Sequence, residues 1–536
     1  MTVLDNPPLA SIIGEGSFPA EFNISAHFLD RNDPTRTALV TAAGPVTYDR
    51  LRTLACQVGN ALRSLGVRRG DRVLLALGDG MEFVAAWYGA QRIGAITAEV
   101  YTYLQPKDYR YYAEYAEPAV VIADGQTLER LRAAGVRGLL VTGVRPEELR
   151  EGEHHFETLV AAQPGELDPV PVAPDDVAIW KFTTGSTGAP KACLLPARAP
   201  LLSYEWYARD VLGLGPDDLV LPVPKLFFGY ARDLAALFPF GAGAAGIAFP
   251  ERSTPELIFE LIAKYRPTIL VNVPTMMAAM VAHPAAAEQD LSCLRLCTSA
   301  GEELPADLHR RWLDTFGVEV VDGIGSSEAY HIFLSNRPGR SRPGSLGQVV
   351  PGYSARVVDG DGREVPDGEV GRLEITGAPV ALGYWREPGK TAATFVGERT
   401  VRSSDLVVRN ADGTFEYRGR IDDLLKVGGV YVAPAEIEGC LRTHPAVREC
   451  AVVGYREGGL TRPRAYVVRR GPVTATELQD FVRARLAPRK YPRDVRFVDA
   501  LPHTASGKVD RRALRDLGEI DPASPESTPA AVARPR

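Results

Sequence analysis

Apolar residues recur at helical spacing between Tyr48 and Leu65, at Leu51, Leu54, Ala55, Val58 and Leu62, which predicts a helix with one buried face. The run Asp71-Arg-Val-Leu-Leu-Ala-Leu77 predicts a buried strand. Met81 to Ile93 predicts a second helix and Ala119 to Ala123 a second strand. Alternation of this kind up to about residue 165 implies a mainly parallel sheet covered by helices. The rhythm returns later in the chain. Ser253-Thr-Pro-Glu256 reads as a capped helix start, with Leu257, Ile258, Leu261 and Ile262 as its buried face and Pro267 as its end. Strands are expected over Thr268 to Val273, Leu294 to Thr298 and Val318 to Val321. They run into strand-end loops at Pro274-Thr-Met-Met277, Ser299-Ala-Gly-Glu-Glu303 and Asp322-Gly-Ile-Gly-Ser-Ser-Glu328. Ligands of open parallel sheets bind beyond the carboxyl ends of strands, where these loops fall.

From about residue 345 to 418 the pattern turns β-rich, with Ser354 to Val358, Val370 to Ile375 and Phe415 to Tyr417, and Asp359-Gly-Asp-Gly362 as a hairpin turn. A further region has its own pattern: a helix opening at Pro434-Ala-Glu-Ile-Glu438, strands Glu449 to Val453 and Arg464 to Val468, and a capped helix from Thr474 to Leu486. From Gly518 the chain is mostly Pro, Ser, Ala and Glu, the composition of a disordered tail. The expected fold class is α/β. A large N-terminal body of mixed and parallel sheets with helices carries a β-rich subdomain, and a small α+β domain follows it.

Composition narrows the function classes. The 536 residues exceed what one hydrophobic core supports, so several domains are expected. A net charge of −6 argues against a nucleic-acid partner, whose phosphates call for a basic surface. The six cysteines have no zinc-site spacing, and Cys293 and Cys297 read as small core residues. No segment has the order of a signal peptide, and no apolar run approaches a membrane span, so a cytoplasmic protein with reduced thiols and no membrane partner is expected.

The chemistry concentrates in Phe182-Thr-Thr-Gly-Ser-Thr-Gly-Ala-Pro-Lys191, which follows the strand-like run Val177 to Lys181. Backbone N–H groups, hydroxyls and one cation lie within ten residues, and Gly185 and Gly188 allow the sharp turns that aim N–H groups at phosphate oxygens. A Walker loop is excluded, because Pro190 precedes the lysine and Ala192 follows it. A Gly/Ser/Thr-rich surface turn is the plain alternative. Gly241-Ala-Gly-Ala-Ala-Gly246 matches G-x-G-x-x-G, but it follows the apolar helix Leu234 to Phe238 and precedes the strand Gly246 to Phe249. The dinucleotide motif requires the reverse order, so this is read as a close-packing turn. Lys225-Leu-Phe-Phe-Gly-Tyr230 puts three aromatics beside a glycine, by default a core cluster.

The phosphate loop and the strand-end loops, in this order along the chain, resemble the adenylate-forming superfamily of acyl- and aryl-CoA ligases, luciferases and peptide-synthetase adenylation domains. Ser327-Glu-Ala-Tyr-His-Ile-Phe-Leu-Ser-Asn-Arg-Pro-Gly339, Leu486-Ala-Pro-Arg-Lys-Tyr-Pro492 and Lys225-Leu-Phe-Phe are similar to benzoate-type aryl-CoA ligases. The resemblance implies that Thr183, Thr184, Gly185, Ser186, Thr187 and Gly188 cradle ATP phosphates with Lys191. Ser299, Ala300, Gly301 and Glu302 would lie against adenine, and Asp322, Gly323, Ile324, Gly325, Ser326 and Ser327 would complete the nucleotide site. Glu328 would help hold Mg²⁺, whose usual ligands are hard oxygens. Asp405 would hold the ribose, with Arg420 as a second ribose and phosphate contact. Phe228, Gly229, Tyr230, Arg232 and His331 would line the acyl pocket. The body would span residues 1–421, with its β-rich subdomain at about 345–418, and a mobile domain would span 422–517 before a tail at 518–536. Asp422 would be the hinge, Lys426, Gly428 and Gly429 the thiol-acceptor loop, and Lys508, in Pro502-His-Thr-Ala-Ser-Gly-Lys508, the catalytic lysine.

The implied activity is ATP-dependent activation of a benzoate- or cinnamate-like acid as an acyl-adenylate, followed by transfer to CoA with release of AMP and pyrophosphate. Loading of a separate carrier protein, or activation of nitrite to diazotise an amino-aryl acid, is the runner-up. Three departures from the family pattern stand out. Ala192 follows the loop lysine where glycine is usual, leading into Cys193-Leu-Leu-Pro-Ala-Arg-Ala199; Ala231-Arg232-Asp233 replaces small or apolar residues; and Ser404 stands beside the ribose aspartate. Arg232 is expected either to form a partly exposed ion pair with Asp233 on a helix start or to recognise an anion of the substrate.

Overall fold

The computed structural model describes residues 19–183, 189–427, 430–457, 460–486, 490–503 and 509–519. The chain divides into two compact units. Met1–Ser403 with Val407–Tyr417 forms the larger, and Ser404–Leu406 with Arg418–Arg536 the smaller.

Two sheets build the larger unit. The first has the spatial order His154–His155, Leu139–Thr142, Val120–Asp124, Arg72–Ala76, Ile96–Glu99 (β1), Val177–Thr183 (β2) and Lys191–Pro196 (β3). Its strands are parallel up to the last pair, where β3 returns antiparallel to β2 with Thr183 opposite Lys191. Residues 184–188, at the heart of the expected phosphate cradle, lie outside the described residues.

The second sheet runs Gly44–Thr47, Thr37–Thr41, Ala245–Ile247, Leu219–Pro222, Ile269–Asn272 (β4), Leu296–Ser299 (β5), Val320–Gly325 (β6), Ile332–Ser335 (β7) and Gln348–Val349. From Thr37–Thr41 to β6 all neighbours are parallel, and β7 then turns back antiparallel on β6. Strands such as β4 and β5 are buried at every position, which is why they read as continuous apolar runs.

Local signals account for most elements. Thr254 accepts from the Leu257 N–H and Pro255 occupies the first turn of the helix Pro255–Tyr265. Gly246 packs where an added Cβ would collide with the Ala235 carbonyl, as the close-packing reading of that glycine run requires. Two expectations are corrected. Pro274-Thr-Met-Met277 is the first turn of a helix, and Asp322-Gly-Ile-Gly325 continues strand β6. The helical stretch before the glycine run is two pieces, Gly229–Ala236 (α1) followed by Phe238–Gly241; Pro274–Val281 is α2.

The β-rich region forms a sheet of Ser354–Val358, Val370–Thr376, Thr400–Arg409 and Phe395–Gly397, with Phe415–Arg420 pairing to Thr400–Arg409. In the smaller unit Val447–Glu457, Leu460–Arg469 and Asp494–Phe497 form a three-stranded sheet beside helices Pro434–Arg442 and Ala475–Arg483. Val432, Ile437, Leu441, Val452, Val467, Leu478 and Val482 give this unit its own core. Among the described residues no helix is long and apolar enough to cross a membrane.

Candidate active site

The antiparallel return of β3 puts Lys191 on its first residue, and the ammonium lies 3.6 Å above the ring of Tyr384. The hydroxyl of the same tyrosine donates to Glu328 Oε1 at 2.7 Å. One aromatic side chain therefore gathers the expected phosphate cation and the expected metal carboxylate. Tyr384 reaches this place because Gly383 and Trp385 hydrogen-bond along β3, through Leu194 and Ala192. Ala192 and Cys193 are fully buried, and burial pushes the Cys193 thiol up, leaving it a packing residue rather than a nucleophile.

Ser299 and Asp322, on the ends of β5 and β6, are both buried, and neither Ser299 Oγ nor Asp322 Oδ1 finds a hydrogen-bond partner among the described residues. Burial pushes the Asp322 carboxyl up to about 8, with the nearby Ser299 hydroxyl acting against it. Beyond β5, Ala300 is buried and Gly301 takes φ +87°, a left-handed backbone that favours glycine. Glu302 accepts from both the N–H and the hydroxyl of Thr275, which ties this segment to the start of α2. Gly323 and Gly325 face the returning strand β7: an added Cβ would stand 2.7 Å from the Leu334 carbonyl oxygen and 2.5 Å from that of His331. These glycines serve strand crossing, which explains a glycine-rich pattern that reads as a loop. Ile324, Ser326 and Ser327 are half-buried beside them.

The aromatic segment opens α1. Tyr101 and Phe227 pack against Phe228, and the Tyr230 hydroxyl bonds Thr298 Oγ1 at 2.7 Å. The His331 ring is buried, with its centroid 5.0, 5.4 and 5.8 Å from those of Phe238, Tyr207 and Tyr230. Burial pushes this imidazole down to about 3, so it is neutral at ordinary pH, and neither ring nitrogen meets a partner within hydrogen-bond geometry among the described residues. Such a wall offers aryl contact with unspent polar atoms.

Arg232 pairs with Asp233 near the start of α1, as one of its two expected roles has it, but the pair is buried rather than partly exposed. It is 2% exposed, and its guanidinium bonds Asp233 Oδ1 through Nε and Nη2 at 2.9 and 2.7 Å and Glu99 Oε1 through Nη1 at 2.5 Å. Each of its three nitrogens thus bonds a carboxylate of the protein, and the pair is buried. Trp87 lies under the guanidinium at 5.1 Å and donates its indole N–H to Glu99 Oε1 at 2.8 Å. Asp233 Oδ2 also accepts from Lys181 Nζ at 2.9 Å. Burial alone would lower the Arg232 pKa, but Asp233 and Glu99 outweigh it and hold the cation above its ordinary value. Burial would raise Asp233, and Arg232 and Lys181 overcome that and lower it.

Sequence reasoning did not single out Lys181, Glu99 or Tyr384. Lys181 carried a signal, a lysine interrupting the buried run Val177-Ala-Ile-Trp180. In the smaller unit Asp405 is buried, with Arg420 3.6 Å from it and from Asp422. Gly428, Gly429 and Lys508 lie outside the described residues, as do Thr184, Gly185, Ser186, Thr187 and Gly188, and Lys426 is described in its backbone alone.

The family model of AMP-binding enzymes matches residues 28–385, and that of the AMP-binding enzyme C-terminal domain matches residues 436–508. The first covers well over half of the chain, and the chain belongs to this adenylate-forming family. It is 39% identical over 514 residues to benzoate–CoA ligase of Thauera aromatica, covering 93% of this chain and 96% of that one. Anthranilate–CoA ligase of Pseudomonas aeruginosa is 32% identical over 474 residues, 84% of this chain and 88% of that one. Among solved structures, the anthranilate CoA ligase AuaEII in complex with anthranoyl-AMP matches with a TM-score of 0.89 and 35% identity, covering 94% and 98% of the two chains. A benzoate CoA ligase from Burkholderia xenovorans matches at 0.85 and 38%, covering 92% and 100%.

Proposed function

We propose that this chain is an ATP-dependent ligase that activates an aryl acid as its acyl-adenylate and passes the acyl group to the thiol of CoA. One observation carries the reading. The connection 326–331 between β6 and β7 holds Glu328 on the tyrosine that also contacts Lys191, and three residues later places His331 in an aromatic wall. The residues assigned here to phosphate chemistry and to aryl recognition thus lie three positions apart on one short segment. Relatives named for benzoate, hydroxybenzoate and anthranilate with CoA support the same substrate class.

In the first half-reaction a carboxylate oxygen attacks the α-phosphorus of ATP, and the bond to the departing pyrophosphate breaks. In the second, the CoA sulfur attacks the acyl carbonyl and AMP leaves with the electrons of the acyl–oxygen bond. Positioning and charge neutralisation supply most of the catalysis of such transfers. Lys191 is assigned to the β- and γ-phosphate oxygens and Lys508 to the α-phosphate, with Asp405 and Arg420 on the ribose. Glu328 fits an Mg²⁺ ligand: it is a hard carboxylate with one oxygen committed to Tyr384, and no cluster of three acidic, His or Cys ligands exists among the described residues. Magnesium is bound in this way in nucleotide sites, by one or two carboxylates plus phosphate and water. When bound it would offset phosphate charge.

Pyrophosphate release with ATP and a panel of benzoate-, hydroxybenzoate- and anthranilate-type acids tests the reading. With CoA, AMP and an aroyl thioester are expected in equal amounts. Release that required nitrite with an amino-aryl acid, or a thioester formed on a carrier protein alone, would replace CoA as the acceptor.

A further inference from the structure

The connection 326–331 is irregular backbone, yet three successive carbonyls on it are held from elsewhere. The Ala381 N–H donates to the Glu328 carbonyl at 2.8 Å, the Tyr353 hydroxyl to the Ala329 carbonyl at 2.8 Å, and Lys181 Nζ to the Tyr330 carbonyl at 2.7 Å. The last has the most to hold. Tyr330 has φ +76°, a left-handed conformation that a bulky side chain keeps only where its surroundings over-determine it. The ammonium also lies 3.8 Å from the centre of the Tyr330 ring, so one cation grips both the main chain and the side chain of this residue.

Lys181 is itself seated. Asp233 Oδ2 accepts from it at 2.9 Å, Arg232 holds the other oxygen of that carboxylate, and Glu99 holds Arg232. None of the four is more than 7% exposed. Two cations face two anions, so the group needs no counter-ion from a ligand, which removes any call for an anionic substrate substituent. Room for the ammonium comes from Gly229 in the aromatic segment: an added Cβ there would stand 2.6 Å from Nζ. The charged group and the aromatic wall are thus in contact at Gly229 and again at Tyr330, the residue before His331.

We propose that Lys181, seated by Asp233, Arg232 and Glu99, is a positioning residue for aryl-acid binding: it fixes the Tyr330 carbonyl and so sets where His331 stands in the pocket wall. This rests on the aryl-ligase reading. A purely structural quartet would contribute stability and leave substrate discrimination untouched; a positioning residue moves the acid's binding constant and spares ATP.

Lys181→Met removes the ammonium at similar length and leaves both Asp233 and Glu99 bonded to Arg232, with one negative charge uncompensated. The expected result is an aryl-acid KM raised about tenfold or more with the KM for ATP within about twofold of wild type. Calorimetric affinity for a non-reactive aroyl-sulfamoyl adenosine should weaken in parallel. Lys181→Gln, which retains an N–H donor, should recover part of the loss, and Gly229→Ala, which crowds the ammonium, should raise the acid's KM in the same direction. If Lys181→Met fails to fold, Gly229→Ala and Lys181→Gln carry the measurement. An unchanged acid KM in the folded variants, or equal increases for acid and ATP, overturns the proposal. If the wild-type enzyme forms no AMP with any aryl acid, the ligase reading itself is what fails.

Discussion

At the scale of single residues, two buried groups tie stability to pH in opposite directions. Asp322 keeps its proton in the folded protein up to about 8, whereas its ordinary value is 3.8. Between those values the folded state binds a proton the unfolded chain has released. Its contribution is therefore complete below 3.8 and declines as pH rises toward 8, at up to about 1.4 kcal/mol per pH unit. His331 does the reverse. Its value falls from 6.5 to about 3, so its contribution is present above 6.5 and is lost as pH falls toward 3. Asp322→Asn should remove the first slope: the variant's melting temperature should gain on wild type steadily between pH 5 and about 8. A constant difference over that range would mean that Asp322 is ionised in the native protein.

At the scale of elements, the β6–β7 hairpin packs closely and carries both Glu328 and the buried His331 in its connection. Gly325→Ala would drive a methyl group to 2.5 Å from the His331 carbonyl oxygen and 2.8 Å from its carbon. Backbone cannot yield as a flexible side chain does, so a loss of about 1–3 kcal/mol is expected, visible as a lower denaturation midpoint, together with a raised aryl-acid KM. The elements also divide by how far the sequence reveals them. Thr254 with Pro255 announces Pro255–Tyr265, because cap and proline act within one turn. Pro274 opens α2 in the same way, but Val273 ahead of it offers no capping side chain, and the segment reads as a loop. Glycines 323 and 325 suggest a turn because their reason, the approach of β7, lies across a strand pair. The charged quartet is harder still. Adjacent Arg232 and Asp233 announce their own pairing, but Lys181 stands 52 residues from Asp233 and 149 from Tyr330, and Arg232 stands 133 from Glu99, so beyond that pair only the lysine's presence in an apolar strand hints at partners.

At the scale of the whole molecule, the smaller unit has what a separate folding unit needs. Among the described residues, Ile437, Leu441, Val452, Val467, Leu478 and Val482 form a core of this unit's own residues, and Ala451, Val453, Tyr466, Val468, Leu501 and Leu514 form a second cluster. A fragment of residues 418–519 should therefore give native-like circular dichroism and a cooperative melt; a featureless melt would make it dependent on the rest of the chain. The boundary itself is not a single cut, since Ser404–Leu406 groups with the smaller unit while Val407–Tyr417 does not, a division no linear composition shift can display. The balanced quartet in the larger unit bears on how this sequence can change over time. Loss of Arg232 or Glu99 alone leaves an uncompensated charge in the interior, which typically costs about 3–5 kcal/mol, while a concerted swap to apolar residues can be neutral. Glu99, Lys181, Arg232 and Asp233 are thus bound to drift as a set, and a descendant that exchanges one of them must already carry, or soon acquire, the compensating exchange in another.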